Sequence, residues 1–212
     1  MLEDSLSTRN KPEPPFRDIV GIILAGGKSA RYGRNKALEN IGGKALIEHV
    51  VDTVRPLFQD IIVITNTPSE YSHLGLEMHQ DIIKGLGPIG GIYTALKVIK
   101  EDYGFVVACD MPFLNKALIT YMVSLKKGFD VVVPRMGWKI EALHAIYNRG
   151  CIEQIEKNIQ GKIYQVMRVF DSVNVRYVDE EEIKKFDPDL KSFLNINRPH
   201  DLRRLETLWL NS

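Results

Sequence analysis

The stretch DIVGIILAGGKSARYGRNK, Asp18–Lys36, governs the reading of the whole chain. Its first half is apolar and β-branched without polar alternation, the pattern of a strand buried on both faces. Its second half opens on Gly26 and Gly27 and then carries Lys28, Arg31, Arg34 and Lys36. Strand, glycine turn and basic loop in that order describe the carboxyl edge of an open α/β sheet, where such folds bind ligands. Glycines let backbone N–H groups approach an anion closely, and Arg and Lys then neutralise phosphate oxygens. A merely solvated basic loop has the same composition, so this stretch alone leaves both readings standing.

Spacing removes two familiar phosphate loops. A Walker A loop ending in Gly27-Lys28-Ser29 needs its first glycine at position 22, which is Ile22; Gly21 is one place off and lies inside the strand. The dinucleotide pattern GxGxxG fails too, since Gly26-Gly27 is followed by Lys28 and the next glycine is Gly33.

Outward from this stretch the chain alternates strands and helices. DIIVIT, GFVVAC and FDVVVP read as further central strands, and LGLEMHQ as a short one. In KALIEHVVDTV, Leu46, Ile47, Val50, Val51 and Val54 share one helical face, and Pro56 stops the run. IGGIYTALKVIK repeats apolar residues at helical spacing after the breaker GLGP. Beyond it, KIEALHAIY and SVNVRYVD read as strands, CIEQIEKNI as a helix and RPHDLRRLETLWL as a closing helix. This order predicts a three-layer α/β/α, Rossmann-like domain on a mostly parallel mixed sheet, with a partly antiparallel second half. One such domain spans residues 17–212. Residues 1–16, polar and proline-rich, read as a flexible arm with no apolar core for a signal peptide.

Bulk composition narrows the function classes. Of 212 residues, 44% are hydrophobic and 26% charged, and the net charge of +1 gives no global field for nucleic acid or an acidic membrane. No apolar run approaches the roughly 20 residues that cross a bilayer. Cys109 and Cys151 lack paired spacing and read as reduced thiols of a cytoplasmic protein.

The second chemical feature is FVVACDMPFL. Asp110 ends a buried strand and is followed by Met-Pro, which leaves its carboxylate at the ligand edge of the sheet. A hard carboxylate there suits Mg²⁺ shared with substrate phosphates. The competing role, capping the next helix, falls better to Asn115. A basic glycine turn and Asp110 together point to nucleotidyl transfer, in which an anionic phosphate attacks the α-phosphorus of a nucleoside triphosphate. The nucleophile is already ionised, so alignment and charge neutralisation suffice without a general base. None of the five histidines shows metal-ligand spacing.

On these residues the sequence resembles the nucleotide-diphospho-sugar transferase superfamily and, within it, the molybdenum cofactor guanylyltransferase family. LAGGKSARYGRNK is similar to the family's signature loop, QDIIKGLGPIGGIYTAL to its second element and CDMPFL to its metal strand. EALHAIY is similar to its acceptor strand and NINRPHDL to its closing loop. The resemblance implies transfer of GMP from GTP to molybdenum-molybdopterin, with molybdenum-cofactor assembly and acceptor proteins as further partners. It also implies GTP contacts from the backbone of Leu24, Ala25 and Gly26, and from Lys36, Asn66 and Asp81, with Mg²⁺ on Asp110. Arg31 matches the loop's arginine and is the candidate for transition-state charge relief. Asn66 and Asp81 equally suit strand ends and turns.

The family's cytidylyl branch usually carries alanine where this chain has Gly26, which favours guanine. Arg135, Glu141 and His144 are acceptor candidates, and Asn195 and Asn197, repeating on one strand face, suit the metal or the acceptor. Two departures stand out, the first being Tyr32 where the family loop commonly has methionine. The family commonly has an acid before the lysine, and sugar-phosphate relatives a proline; here Asn35 holds that place. The alternatives are a cytidylyltransferase or guanylyltransferase with another phosphorylated acceptor, and a non-catalytic nucleotide-binding protein that kept the fold.

Overall fold

The protein is described by a computed structural model that covers residues 14–26 and 35–196. Its strands are β1 (Ile19–Leu24), β2 (Asn40–Ile41), β3 (Lys44–Ala45), β4 (Ile61–Ile64), β5 (Glu77–His79), β6 (Tyr103–Ala108), β7 (Val131–Met136), β8 (Lys139–Ile140), β9 (His144–Asn148) and β10 (Val175–Asp179). Its α-helices are α1 (Leu46–Val54), α2 (Pro88–Val98), α3 (Lys116–Ser124), α4 (Cys151–Gln160) and α5 (Glu180–Ile183).

The apolar run that opens the chain becomes β1, and all six of its residues are buried. It lies parallel to β4 on one side and β6 on the other. Side chains alternate across it: Ile19 and Ile23 enter one core cluster, while Val20, Ile22 and Leu24 enter the other. A strand covered on both faces needs no polar face, which is why the sequence shows none. At Gly21 a Cβ would stand 3.2 Å from the Phe58 ring, so glycine lets that ring lie against the strand.

The main sheet runs in the order β10-β7-β9-β6-β1-β4-β5, with β8 paired to β7. β5, β4, β1 and β6 are parallel, as are β7 and β10; β9 runs antiparallel between β6 and β7. This is the mostly parallel mixed sheet expected, with the antiparallel part in the second half. α1, α3 and α5 supply one core cluster and α2 and α4 the other, giving three layers.

Local expectations meet particular corrections. KIEALHAIY is not one strand: Lys139–Ile140 and His144–Asn148 are separated by a turn in which the His144 N–H donates to the Glu141 carbonyl at 3.1 Å. The turn lets the chain leave the β7–β8 hairpin and enter the slot between β6 and β7. Leu194–Ile196 form no strand, so Asn195 sits on irregular chain, while Asn197 and the expected closing helix lie outside the described residues. At the other end, Phe16 exchanges backbone hydrogen bonds with Leu57 and Gln59 at 3.1 and 2.9 Å, and its ring packs against Phe58. The docked chain therefore includes Phe16, the last residue of the expected arm; residues 1–13 are outside the described region.

Candidate active site

The site forms where β1, β4 and β6 end side by side. Leu24 pairs with Ile64 and with Ala108, so the residues following each strand emerge at one edge. The ladder continues one step further: the Ala25 N–H donates to the Ile64 carbonyl at 2.9 Å, and the Cys109 N–H to the Leu24 carbonyl at 3.1 Å. Leu24 and Ala25 are thus tied into the sheet, and exposed Gly26 is the first residue beyond it. A Cβ built on Gly26 meets nothing within 4 Å. Among the described residues, packing does not demand glycine there.

Asp110 follows Cys109 off the end of β6 and is only 6% exposed. Its carboxylate pairs with the Lys36 ammonium, although the two are separated by 74 residues of sequence. Lys36 begins a short 3₁₀ turn, Lys36–Leu38, whose N-terminus is capped by the Asn35 side-chain oxygen accepting from the Ala37 N–H at 3.1 Å. The Asn35 amide nitrogen in turn donates to the Tyr71 hydroxyl at 2.8 Å and to the Glu70 carboxylate. Tyr71 is buried, which, with its neighbours, pushes its phenol up to about 12, so it stays a neutral hydroxyl. Cys109, beside Asp110, is likewise pushed up to about 12 by burial and is no nucleophile at neutral pH.

Across the edge, Asn66 and Asp81 face each other after β4 and β5. The Asn66 amide donates to the Asp81 carboxylate at 2.7 Å, and the Asp81 N–H returns a bond to the Asn66 carbonyl oxygen at 3.3 Å. Asp81 is also near the position where a Cβ on Gly91 of α2 would project. Among the described residues, Leu24, Ala25, Gly26, Lys36, Asn66, Asp81 and Asp110 therefore all lie about the ends of β1, β4, β5 and β6. Arg31, with Lys28 and Arg34, lies outside the described residues.

The acceptor candidates fare differently. His144 has no exposed surface; its ring stands edge-on to Phe105 at 5.3 Å and near Phe193 at 5.2 Å, and neither ring nitrogen has a partner. Burial lowers its pKa to about 3, so it is a neutral residue of the core. Arg135 gives its guanidinium to Asp179, at 2.7 and 3.1 Å, and stacks over Tyr177. Glu141 pairs with Lys139 at 3.1 Å. Sequence reasoning missed Glu70 and Tyr71, which are engaged through Asn35; nothing in their local pattern marks them.

The residues also suit a divalent cation. Asp110 supplies a buried carboxylate, and the Asn195 side-chain oxygen is buried without a hydrogen-bond partner. The next residue, Ile196, donates its N–H to the Asp110 carbonyl at 3.3 Å, so this chain segment runs beside Asp110. Oxygen donors of this kind fit a hard ion such as Mg²⁺, which takes its remaining ligands from phosphate and water. Among the described residues no group of three or more His, Cys, Asp or Glu side chains could hold a metal unaided.

Residues 21–176 match the MobA-like NTP transferase domain family. The chain belongs to that family. As a MobA-like transferase, it is 37% identical over 193 residues to the probable molybdenum cofactor guanylyltransferase of Pelotomaculum thermopropionicum, covering 91% of this chain and 94% of the relative. The molybdenum cofactor guanylyltransferase of Desulfosudis oleivorans is 36% identical, with 89% and 94% covered. Among solved structures, molybdopterin-guanine dinucleotide biosynthesis protein A from Archaeoglobus fulgidus superposes with a TM-score of 0.80 at 31% identity, covering 91% of this chain and all of that one. Family membership makes this chain a nucleotidyltransferase.

Proposed function

We propose that this protein transfers GMP from GTP to the terminal phosphate of molybdenum-molybdopterin, releasing pyrophosphate and forming the molybdopterin guanine dinucleotide. The observation that carries the chemistry is the meeting of Lys36 and Asp110 at the ends of β1 and β6. The relatives' shared name, across nearly the full chain, supports guanine and the molybdopterin acceptor.

In the reaction an acceptor phosphate oxygen forms a bond to the α-phosphorus, and the bond from that phosphorus to the pyrophosphate oxygen breaks. Each chain residue has a limited task. Gly26 leaves room at the sheet edge for the base and ribose. Lys36 exchanges its partner, Asp110, for a phosphate oxygen, and Arg31 offsets the charge gathering in the transition state. Asn66 and Asp81 present a fixed amide and carboxylate to the nucleoside. Asp110 and Asn195 would hold Mg²⁺, which when bound neutralises phosphate charge and orients the triphosphate. Arg31, Lys36 and Asp110 are thus the catalytic set. The buried free thiols Cys109 and Cys151 agree with a reducing, cytoplasmic setting, where assembly and acceptor proteins of the cofactor would meet it. Among the described residues no helix is long and apolar enough to cross a membrane.

The direct test incubates the protein with Mg²⁺, molybdenum-loaded molybdopterin and equimolar GTP and CTP. The expected product is the guanine dinucleotide with stoichiometric pyrophosphate. Preferential CMP transfer would reject the base assignment, and transfer only to a different phosphorylated acceptor would reject the acceptor. Failure to bind either nucleotide would reject the class.

A further inference from the structure

The short turn that carries Lys36 is fastened to the rest of the domain through the side chain of Asn35. The Asn35 side chain is used at both ends. The oxygen caps the turn that begins with Lys36, accepting from the Ala37 N–H at 3.1 Å. The nitrogen donates to the Glu70 carboxylate and to the Tyr71 hydroxyl, the latter at 2.8 Å. Glu70 and Tyr71 belong to a 3₁₀ segment, Pro68–Leu74, and Tyr71 is anchored in the core at 2% exposure. The Lys36 turn is therefore braced through one amide against a segment anchored in the core by Tyr71.

We propose that Asn35 is a positioning residue for Lys36, and that Glu70 is the acid that makes an amide, rather than a carboxylate, the fitting side chain at position 35. An aspartate would keep the cap, because a carboxylate also accepts from the Ala37 N–H. The Tyr71 hydroxyl can turn to donate to it, but the bond to Glu70 is lost and replaced by two like charges at hydrogen-bond range. The turn then moves away from Glu70 and carries Lys36 off its aim at the sheet edge. The compensation is specific. With glutamine at position 70 the amide and carboxylate simply change places: the new amide donates to the acid at 35, and the Tyr71 hydroxyl rotates to donate as well. This inference rests on Lys36 being the phosphate ligand of the proposed function.

The test is a cycle of wild type, Asn35→Asp, Glu70→Gln and the double variant, measuring GTP dissociation constant, kcat/KM for GTP and urea unfolding. Asn35→Asp is expected to lower kcat/KM about tenfold, and the double variant to return within about threefold of wild type, the scale of coupling between groups in direct contact. The Asn35→Asp defect should also shrink at high salt, because Glu70 is exposed and its repulsion is screened. Unchanged kcat/KM with a lowered unfolding midpoint would make the contact structural only and overturn the proposal; so would losses in the two single variants that simply add. Should wild type itself bind no GTP, the functional reading falls, and the unfolding cycle alone judges the brace: restoration by Glu70→Gln supports it and additivity ends it.

Discussion

At the scale of single residues, the site is a pair of opposite charges awaiting different partners. Lys36 and Asp110 neutralise each other at a largely buried edge, and removing either leaves the other without a counter-charge. Asp110→Asn is expected to lower GMP transfer at least about 100-fold, as loss of a preorganised charge at a developing phosphate transition state does. The chain should still fold, checked by circular dichroism; wild-type-like turnover would put the metal elsewhere. Lys36→Ala should cost about 2–4 kcal/mol of transition-state stabilisation in kcat/KM. At Gly26 the argument concerns space. Since a Cβ there meets no atom of the described residues within 4 Å, Gly26→Ala should leave the unfolding midpoint nearly unchanged while raising KM for GTP more than KM for CTP. An equal effect on both nucleotides would remove Gly26 from base selection.

At the scale of elements, the edge bearing Asp110 stays open because the following helix takes its cap from another residue. Asn115 caps α3 by accepting from the Leu118 N–H at 3.0 Å, and its amide reaches the Phe186 carbonyl at 2.8 Å. Asn115→Ala removes both bonds and leaves that carbonyl without the amide, so urea unfolding should show a loss of about 1–3 kcal/mol. Activity per folded molecule should remain, because Asp110 is untouched. That division was legible beforehand: Met-Pro after Asp110 and the position of Asn115 before an apolar helical face are local signals. The turn that splits KIEALHAIY was not. A β-rich run that mixes apolar with polar residues looks alike whether it enters the sheet once or twice, and only the β7–β8 hairpin and the place between β6 and β7 decide it.

At the scale of the whole molecule, one buried histidine ties stability to pH. His144 is neutral between Phe105 and Phe193, with its pKa lowered to about 3 against 6.5 in the unfolded chain. The unfolded state therefore binds the extra proton first. Its contribution is intact above pH 6.5 and is lost as pH falls from there toward 3, at up to about 1.4 kcal/mol per pH unit. His144→Phe should flatten the urea-stability profile in that range and leave the neutral-pH transfer rate alone. An unchanged profile would show that acid sensitivity arises from other groups. Ligand linkage acts on the same molecule: GTP at about 100 times its dissociation constant should stabilise the fold by about 2.7 kcal/mol, and CTP by less.

The sequence by itself determined the buried strands, the glycine turn with its cations, the acid at the end of β6 and the helices with their caps. Each of these is written in residues adjacent along the chain, in hydrophobic period, glycine placement or capping side chain. Only the tertiary structure decided which cation meets which acid. Lys36 finds Asp110, Asn35 finds Glu70 and Tyr71, Asn66 finds Asp81, while His144, Arg135 and Glu141 are drawn into packing and local pairs. A side chain's chemistry is fixed by its own atoms, but its burial and its partner depend on where the sheet order brings distant strand ends together.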